Sequence, residues 1–364
     1  MWTPSRRPAD RCVSQKRDTP TAYEDRPSRA SWNAPCNGAV PDANPVSGLT
    51  KGAANMRKIA LSLSVLAAIL SPTLCSAPAQ AQPFYQSWVS HNGNDSNSCY
   101  LTSPCLNIFR ALSQTNDGGE IGCLDSSNIS QFTVTISVTI NCSGSVATNA
   151  NGGAAPCTHG VVINAPGKVV TIRGLNLNGF GLPGCTLNGI LIQAATSVYI
   201  EDCVIENWPQ KGILDVRTAG ATKLAIKNTI VRNNTSAGIL VAAAPKNSVV
   251  LENVHAVGNA YGIAVAAGNI VVLSRSVMSE NSVAGIEADS GAYVSVEGTK
   301  ISHNGSYGIQ ALGGNVALAN SDIDFNTSPI SGTVQSYGNN RLFGNGPGTA
   351  PTPAGGTSTD FGQQ

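Results

Sequence analysis

The dipeptide Gly-Ile recurs at residues 189, 212, 238, 262, 285 and 308, so that successive copies stand 23, 26, 24, 23 and 23 residues apart. Self-similarity at such a period means stacked structural units rather than a single closed core. A second apolar pair follows in each unit: Val198/Ile200, Leu224/Ile226, Val249/Leu251, Val271/Leu273, Val294/Val296 and Val316/Leu318. Each unit then enters a third short apolar stretch and an asparagine, at Asn207, Asn234, Asn259, Asn281, Asn304 and Asn326. Three short strands per period, each alternating inward and outward, predict a triangular coil.

Turn chemistry supports the same register. Asp202, Asn228, Asn253, Arg275, Gly298 and Asn320 stand two residues past the second pair. Most of these residues tolerate the left-handed backbone region. Stacking would align them into a ladder of side-chain amides about 4.8 Å apart. One residue earlier, Arg173, Glu201, Lys227 and Glu252 alternate in sign, and opposite charges on adjacent strands add about 0.2–1 kcal/mol each. The third strand offers two inward lines. One is small (Cys203, Thr229, Val254, Ser276, Thr299, Ser321) and the other larger (Ile205, Val231, Ala256, Met278, Ile301, Ile323). Cys203 reads as a buried structural thiol. Asp215 and Arg217 also lie on the Gly-Ile sheet, but Asp215 falls where its neighbours have aliphatics, and a local bulge explains it at least as well as catalysis.

Upstream, Met56-Arg57-Lys58, the apolar run Ile59–Leu70 and the small-residue site Ala79-Gln80-Ala81 read as a signal peptide cleaved after Ala81. The run is shorter than the roughly 20 residues that span a bilayer. No transmembrane anchor is therefore expected, and the protein is placed as secreted or periplasmic. Residues 1–55 are rich in Arg and Pro and read as a disordered extension or a mis-assigned start. The remaining boundaries are an N-terminal cap over 82–119 with a short helix near Leu106–Leu112, a solenoid of about eight coils over 120–345, and a loose tail over 346–364. With 38 Gly and 12% charged residues in 364, the chain suits turn-rich β-structure. From Gln82 onward 12 Lys and Arg face 16 Asp and Glu, a net of −4 that gives no footprint for nucleic acid.

Of ten cysteines seven lie beyond Ala81, and export permits disulfides. Cys99 and Cys105 share one loop and form a natural local pair. Cys157 and Cys185 precede consecutive repeat starts and form a second. Cys123–Cys142 is a further pairing. No Cys-x-x-Cys occurs, which removes the usual zinc and redox readings.

Several segments together resemble the bacterial right-handed parallel β-helix repeat proteins of the pectin-lyase-like superfamily. They are Cys99…Pro104-Cys105, Gly118-Gly119-Glu120-Ile121…Cys123-Leu124-Asp125, the Gly-Ile…Asn coils, and Ser336-Tyr337-Gly338-Asn339-Asn340-Arg341…Gly344-Asn345. That resemblance implies an all-β, right-handed parallel solenoid over about residues 85–345. It also implies that the Gly-Ile sheet is the one that carries the polysaccharide cleft in the family's enzymes. The superfamily includes pectate lyases, polygalacturonases, alginate epimerases, tailspikes and adhesins, so fold alone selects no activity.

The outward positions of the Gly-Ile strands are mostly aliphatic: Leu191, Leu214, Leu240 and Ala264 in one line. Glu287 and Asp289 are the exception. Two residues apart, they share a face about 7 Å apart and are the candidate catalytic acid/base or cation-binding pair, with a solvated acidic pair as the plain alternative. No cofactor is otherwise expected, calcium entering only if the protein is a lyase. Trp208, Tyr261 and Tyr307, placed at the entries to the Gly-Ile strands, are the candidate carbohydrate platforms, with packing against loop stems as the alternative. His91, His159, His255 and His303 lack metal-ligand spacing. The leading expectation is contact with extracellular polysaccharide without catalysis. The others are a divergent polysaccharide lyase, hydrolase or epimerase, and a structural or adhesive solenoid.

Overall fold

The computed structural model describes residues 84–126, 131–144, 147–150 (backbone only), 159–179, 187–242 and 247–354. The signal-peptide segment, residues 1–55 and both Cys157 and Cys185 lie outside them. Three parallel sheets stack the chain into coils: the nine-stranded Gly-Ile sheet, a twelve-stranded middle sheet, and a nine-stranded third sheet. Each strand bonds to the strands one period before and after it, as a parallel ladder with a long crossover requires. The described residues form about nine coils, close to the eight that the repeat predicts. The middle sheet reaches back through Thr115–Cys123 to Phe84–Val89, so the cap contributes a strand to the solenoid it covers.

The core is a set of in-register columns. Ile190, Ile213, Ile239, Ile263, Ile286, Ile309 and Ile330 follow one another directly across the Gly-Ile sheet, all essentially inaccessible to solvent. Each such side chain contributes roughly 1.5–3 kcal/mol on burial. The glycine before each isoleucine is steric in origin. A Cβ on Gly212 would sit 2.3 Å from Val231 Cγ1 and 2.7 Å from the Gly238 carbonyl oxygen, so no larger residue fits between the Gly-Ile strand and the third strand.

The turn residues Asp202, Asn228, Asn253, Arg275, Gly298 and Asn320 all adopt left-handed backbone, with φ between 48° and 56°. The Asn228 amide donates to Asp202 Oδ1 and the Asn253 amide to Asn228 Oδ1, each at 3.0 Å. This ladder is short and exposed. The long one is buried at the end of the third strand. Asn234, Asn259, Asn281 and Asn304 each donate backbone N–H and side-chain Nδ2 to the Oδ1 of the next asparagine up the stack, and Asn326 does the same to Asn345. Asn259, Asn281, Asn304 and Asn326 also donate Nδ2 to a carbonyl of an earlier coil, which satisfies amides that burial would otherwise leave costly. A parallel ladder of hydroxyls runs beside it: Val254 N–H donates to Ser276 Oγ, Ser276 N–H to Thr299 Oγ1 and Thr299 N–H to Ser321 Oγ.

The charge row pairs as its signs suggest. Arg173 bonds Glu201 at 2.5 Å, while Glu252 takes Lys227 at 3.7 Å and Arg275 in close contact. The cap helix, α1 (Ile108–Gln114), starts later than the apolar pattern predicts. Its N-cap residue Asn107 makes no side-chain cap bond. Asp95 instead accepts the Leu106 and Asn107 N–H groups, both at 2.9 Å, from eleven and twelve residues upstream. Disulfides join Cys99 to Cys105 and Cys123 to Cys142. At the other end, Thr352–Pro353 pairs with Val334–Ser336, so the segment expected to be loose adds a strand; residues 355–364 lie outside the description.

Candidate functional site

The acidic pair and a glutamine share the outer face of the Gly-Ile sheet, with Tyr261 beside Glu287 and Tyr307 at the entry to its own strand. Register places Ala237, Tyr261, Ala284, Tyr307 and Ser328 in one column. The two tyrosines are therefore two coils apart, about 10 Å, with a small residue between them. Three residues further along the strands, Ala264, Glu287, Gln310 and Ser331 form the next column, and Asp289 stands beside Leu312. All five site residues are partly exposed.

Electrostatics tie three of them together. The Tyr261 hydroxyl lies close enough to the Glu287 carboxyl for each to shift the titration of the other. Burial and then the neighbouring Asp289 charge raise the Glu287 carboxyl above its ordinary value, while the Tyr261 hydroxyl opposes them. The tyrosine is raised in turn by burial and by the two carboxylates. Between residues 247 and 331 the only Lys and Arg are Arg275 and Lys300, and both lie off the Gly-Ile strands. Gln310 presents a buried Oε1 with no hydrogen-bond partner. The group can donate and accept, and burial biases the Glu287 carboxyl toward holding its proton.

Trp208 does not belong to the site. It is fully buried, and its Nε1 donates to the Leu177 carbonyl at 3.0 Å. Its backbone N–H donates to Asn234 Oδ1, the bond that asparagines make in the later coils. Trp208 thus occupies the ladder position itself and fills the interior beside Gly160, Gly179 and Gly189, where a Cβ would come within 2.9 Å of the indole. The residue homologous in position to Asn207 is Asn233, since both have left-handed backbone. The indole is a core plug, and no sugar can stack on it.

Asp215 is likewise reassigned. It pairs in register with Ile192 and Val241, without a bulge, and points inward at 1% exposure. Arg217, also 1% exposed, binds it through Nε at 2.8 Å and a terminal nitrogen at 2.6 Å. The other terminal nitrogen donates to the Ala195 and Lys223 carbonyls. Every nitrogen of the guanidinium is engaged, so the pair is structural. Cys203 is buried, and burial pushes its thiol up to about 12, far from a reactive thiolate. His159 accepts the Asn188 N–H at Nδ1 and is held toward its neutral form by burial.

Among the described residues no three His, Cys, Asp or Glu side chains group as a metal site, and no helix is long and apolar enough to cross a membrane.

The solenoid is similar to solved structures of carbohydrate-active proteins. The A-module of mannuronan C-5 epimerase AlgE6 from Azotobacter vinelandii is 17% identical over 64% of this chain and 79% of its own, with a TM-score of 0.45. Pectate lyase Pel9A is 13% identical over 75% and 80%, at 0.46. XylC, in complex with xylose, is 10% identical over 73% and 72%, at 0.48. No curated protein matches the chain in sequence. The model of the right-handed β-helix region matches residues 117–274 and 159–328. With more than half its length so matched and three parallel sheets in register, this chain belongs to the right-handed β-helix family.

Proposed function

We propose that this β-helix is exported and contacts extracellular polysaccharide through the outer face of its Gly-Ile sheet, without catalysis. The observation that carries the reading is the column in which Tyr261 and Tyr307 stand two coils apart at strand entries, on either side of the strand that carries Glu287. Tyrosine faces stack on the apolar faces of sugar rings, and the carboxylate and amide bond ring hydroxyls. Both carboxylates project from one strand of a flat sheet. A glycosidase needs its two carboxylates to flank the scissile bond. The epimerase, lyase and xylose-complex neighbours agree with a carbohydrate ligand by their names alone.

Native affinity electrophoresis in gels loaded with soluble polysaccharides tests this. A polysaccharide that slows wild type should slow Tyr261→Ala/Tyr307→Ala at least about tenfold less, while Glu287→Gln/Asp289→Asn remains retarded. Unchanged retardation of the tyrosine variant refutes the reading.

A second reading, a divergent polysaccharide hydrolase or lyase, draws on the raised Glu287 carboxyl and a spacing of about 7 Å to Asp289, within the range of inverting hydrolases. Release of sugar products by wild type, lost in Glu287→Gln, would favour it.

A further inference from the structure

The middle sheet carries a depression that the Gly-Ile face does not explain. Its outward positions include Ile270, Val272 and Tyr293, at 47%, 42% and 55% exposure. Tyr337, 44% exposed, stands at the far corner. Together with Asn315 and Gln335 these residues line a groove of about 450 Å3, floored by the small residues Ser295 and Ala317. By register, Tyr293 and Tyr337 are two coils and four residues apart, about 16 Å on the diagonal. No lining residue is charged; the charged row of this sheet, ending at Glu297, lies outside the groove.

The groove extends toward the Gly-Ile sheet. A second depression of about 370 Å3 shares Asn315, Val316 and Gln335 with it and runs over Gly313, Gly314 and Gly332 to Ala311 on the Gly-Ile strand. Ala311 adjoins Gln310, and Asp289 bridges to Gly313. At this corner side chains are missing by necessity. Gly313 and Gly332 have φ of +85° and +87°, and a Cβ on Gly314 would lie 2.7 Å from Ala288 Cβ.

We propose that this groove is a second contact surface for the same ligand, and that the ligand is an uncharged polysaccharide strand long enough to pass from Tyr261 and Tyr307 over the glycine corner to Tyr293 and Tyr337. The inference rests on the function proposed above. Exposed aromatics at both ends of an uncharged groove with amides between them suit stacking and hydroxyl recognition. The acidic pair on the adjoining face, with no cationic side chain on neighbouring strands, repels a polyuronate. A second surface on one strand raises overall affinity through effective concentration, with no gain for short oligosaccharides that fill only the first.

The test uses xyloglucan, galactomannan, mixed-linkage β-glucan and, as the anionic comparison, calcium-free polygalacturonate in native affinity gels, with di- and trisaccharide binding by calorimetry. Tyr293→Ala/Tyr337→Ala should weaken retardation by a neutral polymer about tenfold and leave short-oligosaccharide binding unchanged. Ser295→Trp, which fills the groove floor, should act alike without removing a tyrosine. If both variants are retarded as wild type while Tyr261→Ala/Tyr307→Ala is not, the second surface is refuted and the first stands. Stronger retardation by polygalacturonate than by every neutral polymer overturns the ligand class, and no retardation by any polymer overturns both proposals.

Discussion

At Glu287 the local environment sets the charge state, and its pH dependence has a definite sign. Its folded-state carboxyl is raised from 4.5, first by burial and then by Asp289. Stability that depends on the neutral carboxyl is fully present below the ordinary value and is lost as pH rises through the raised one. Glu287→Gln keeps a neutral group at every pH. Thermal denaturation should find it equal to wild type near pH 4 and more stable at pH 7; equal melting at both values would contradict the assigned environment. Three residue assignments made from sequence stood or fell on direction. Glu287 and Asp289 were legible as a shared face because strand alternation is strict. Trp208 was not, since an aromatic at a strand entry reads as a platform until Asn207-Trp208 is aligned with Asn233-Asn234. Both second residues then fall on one interior position. Asp215 was misread because a lone carboxylate at an inward position looks like a slip, whereas Arg217 two residues on supplies its bidentate partner.

At the scale of an element, the ladders are not equivalent. Asn281 bonds on both sides and is fully buried, while Asn228 lies at an exposed turn. Asn281→Ala strands partners in two neighbouring coils and should cost about 2–3 kcal/mol or more, since a buried unmade bond costs about 1–3 kcal/mol. Asn228→Ala should cost well under that, through loss of a residue suited to left-handed backbone. Denaturant midpoints of the two variants compare them, and equal losses would mean that the buried ladder carries no special weight. The periodic asparagines were plain in the sequence. Which set is buried was not, because the two differ by geometry at a turn rather than by residue type.

At the largest scale, among the described residues, the two disulfides and α1 lie at one end of a stack otherwise held by nearest-neighbour contacts. Reduction should therefore loosen residues 84–142 first. Limited proteolysis in reducing buffer should cut there well before cutting within 190–330, and uniform cleavage along the chain would argue for one cooperative unit. Sequence reasoning recovered the coils because stacking imposes a period. It missed the strands at Phe84–Val89 and Thr352–Pro353 because the ends of a solenoid need only cover an edge and carry no repeat.

The tryptophan that ends the asparagine ladder has a consequence for how such a chain can change length. On its C-terminal side every coil from Asn234 to Asn326 presents the same amide upward and downward, so a segment such as 262–284 could be duplicated or excised with both joins still complementary. On its N-terminal side the interior beside Gly160, Gly179 and Gly189 is fitted to one indole, and a coil copied there would lack its counterpart. Trp208 therefore marks where coils that accept repeat copying give way to coils built around a single side chain.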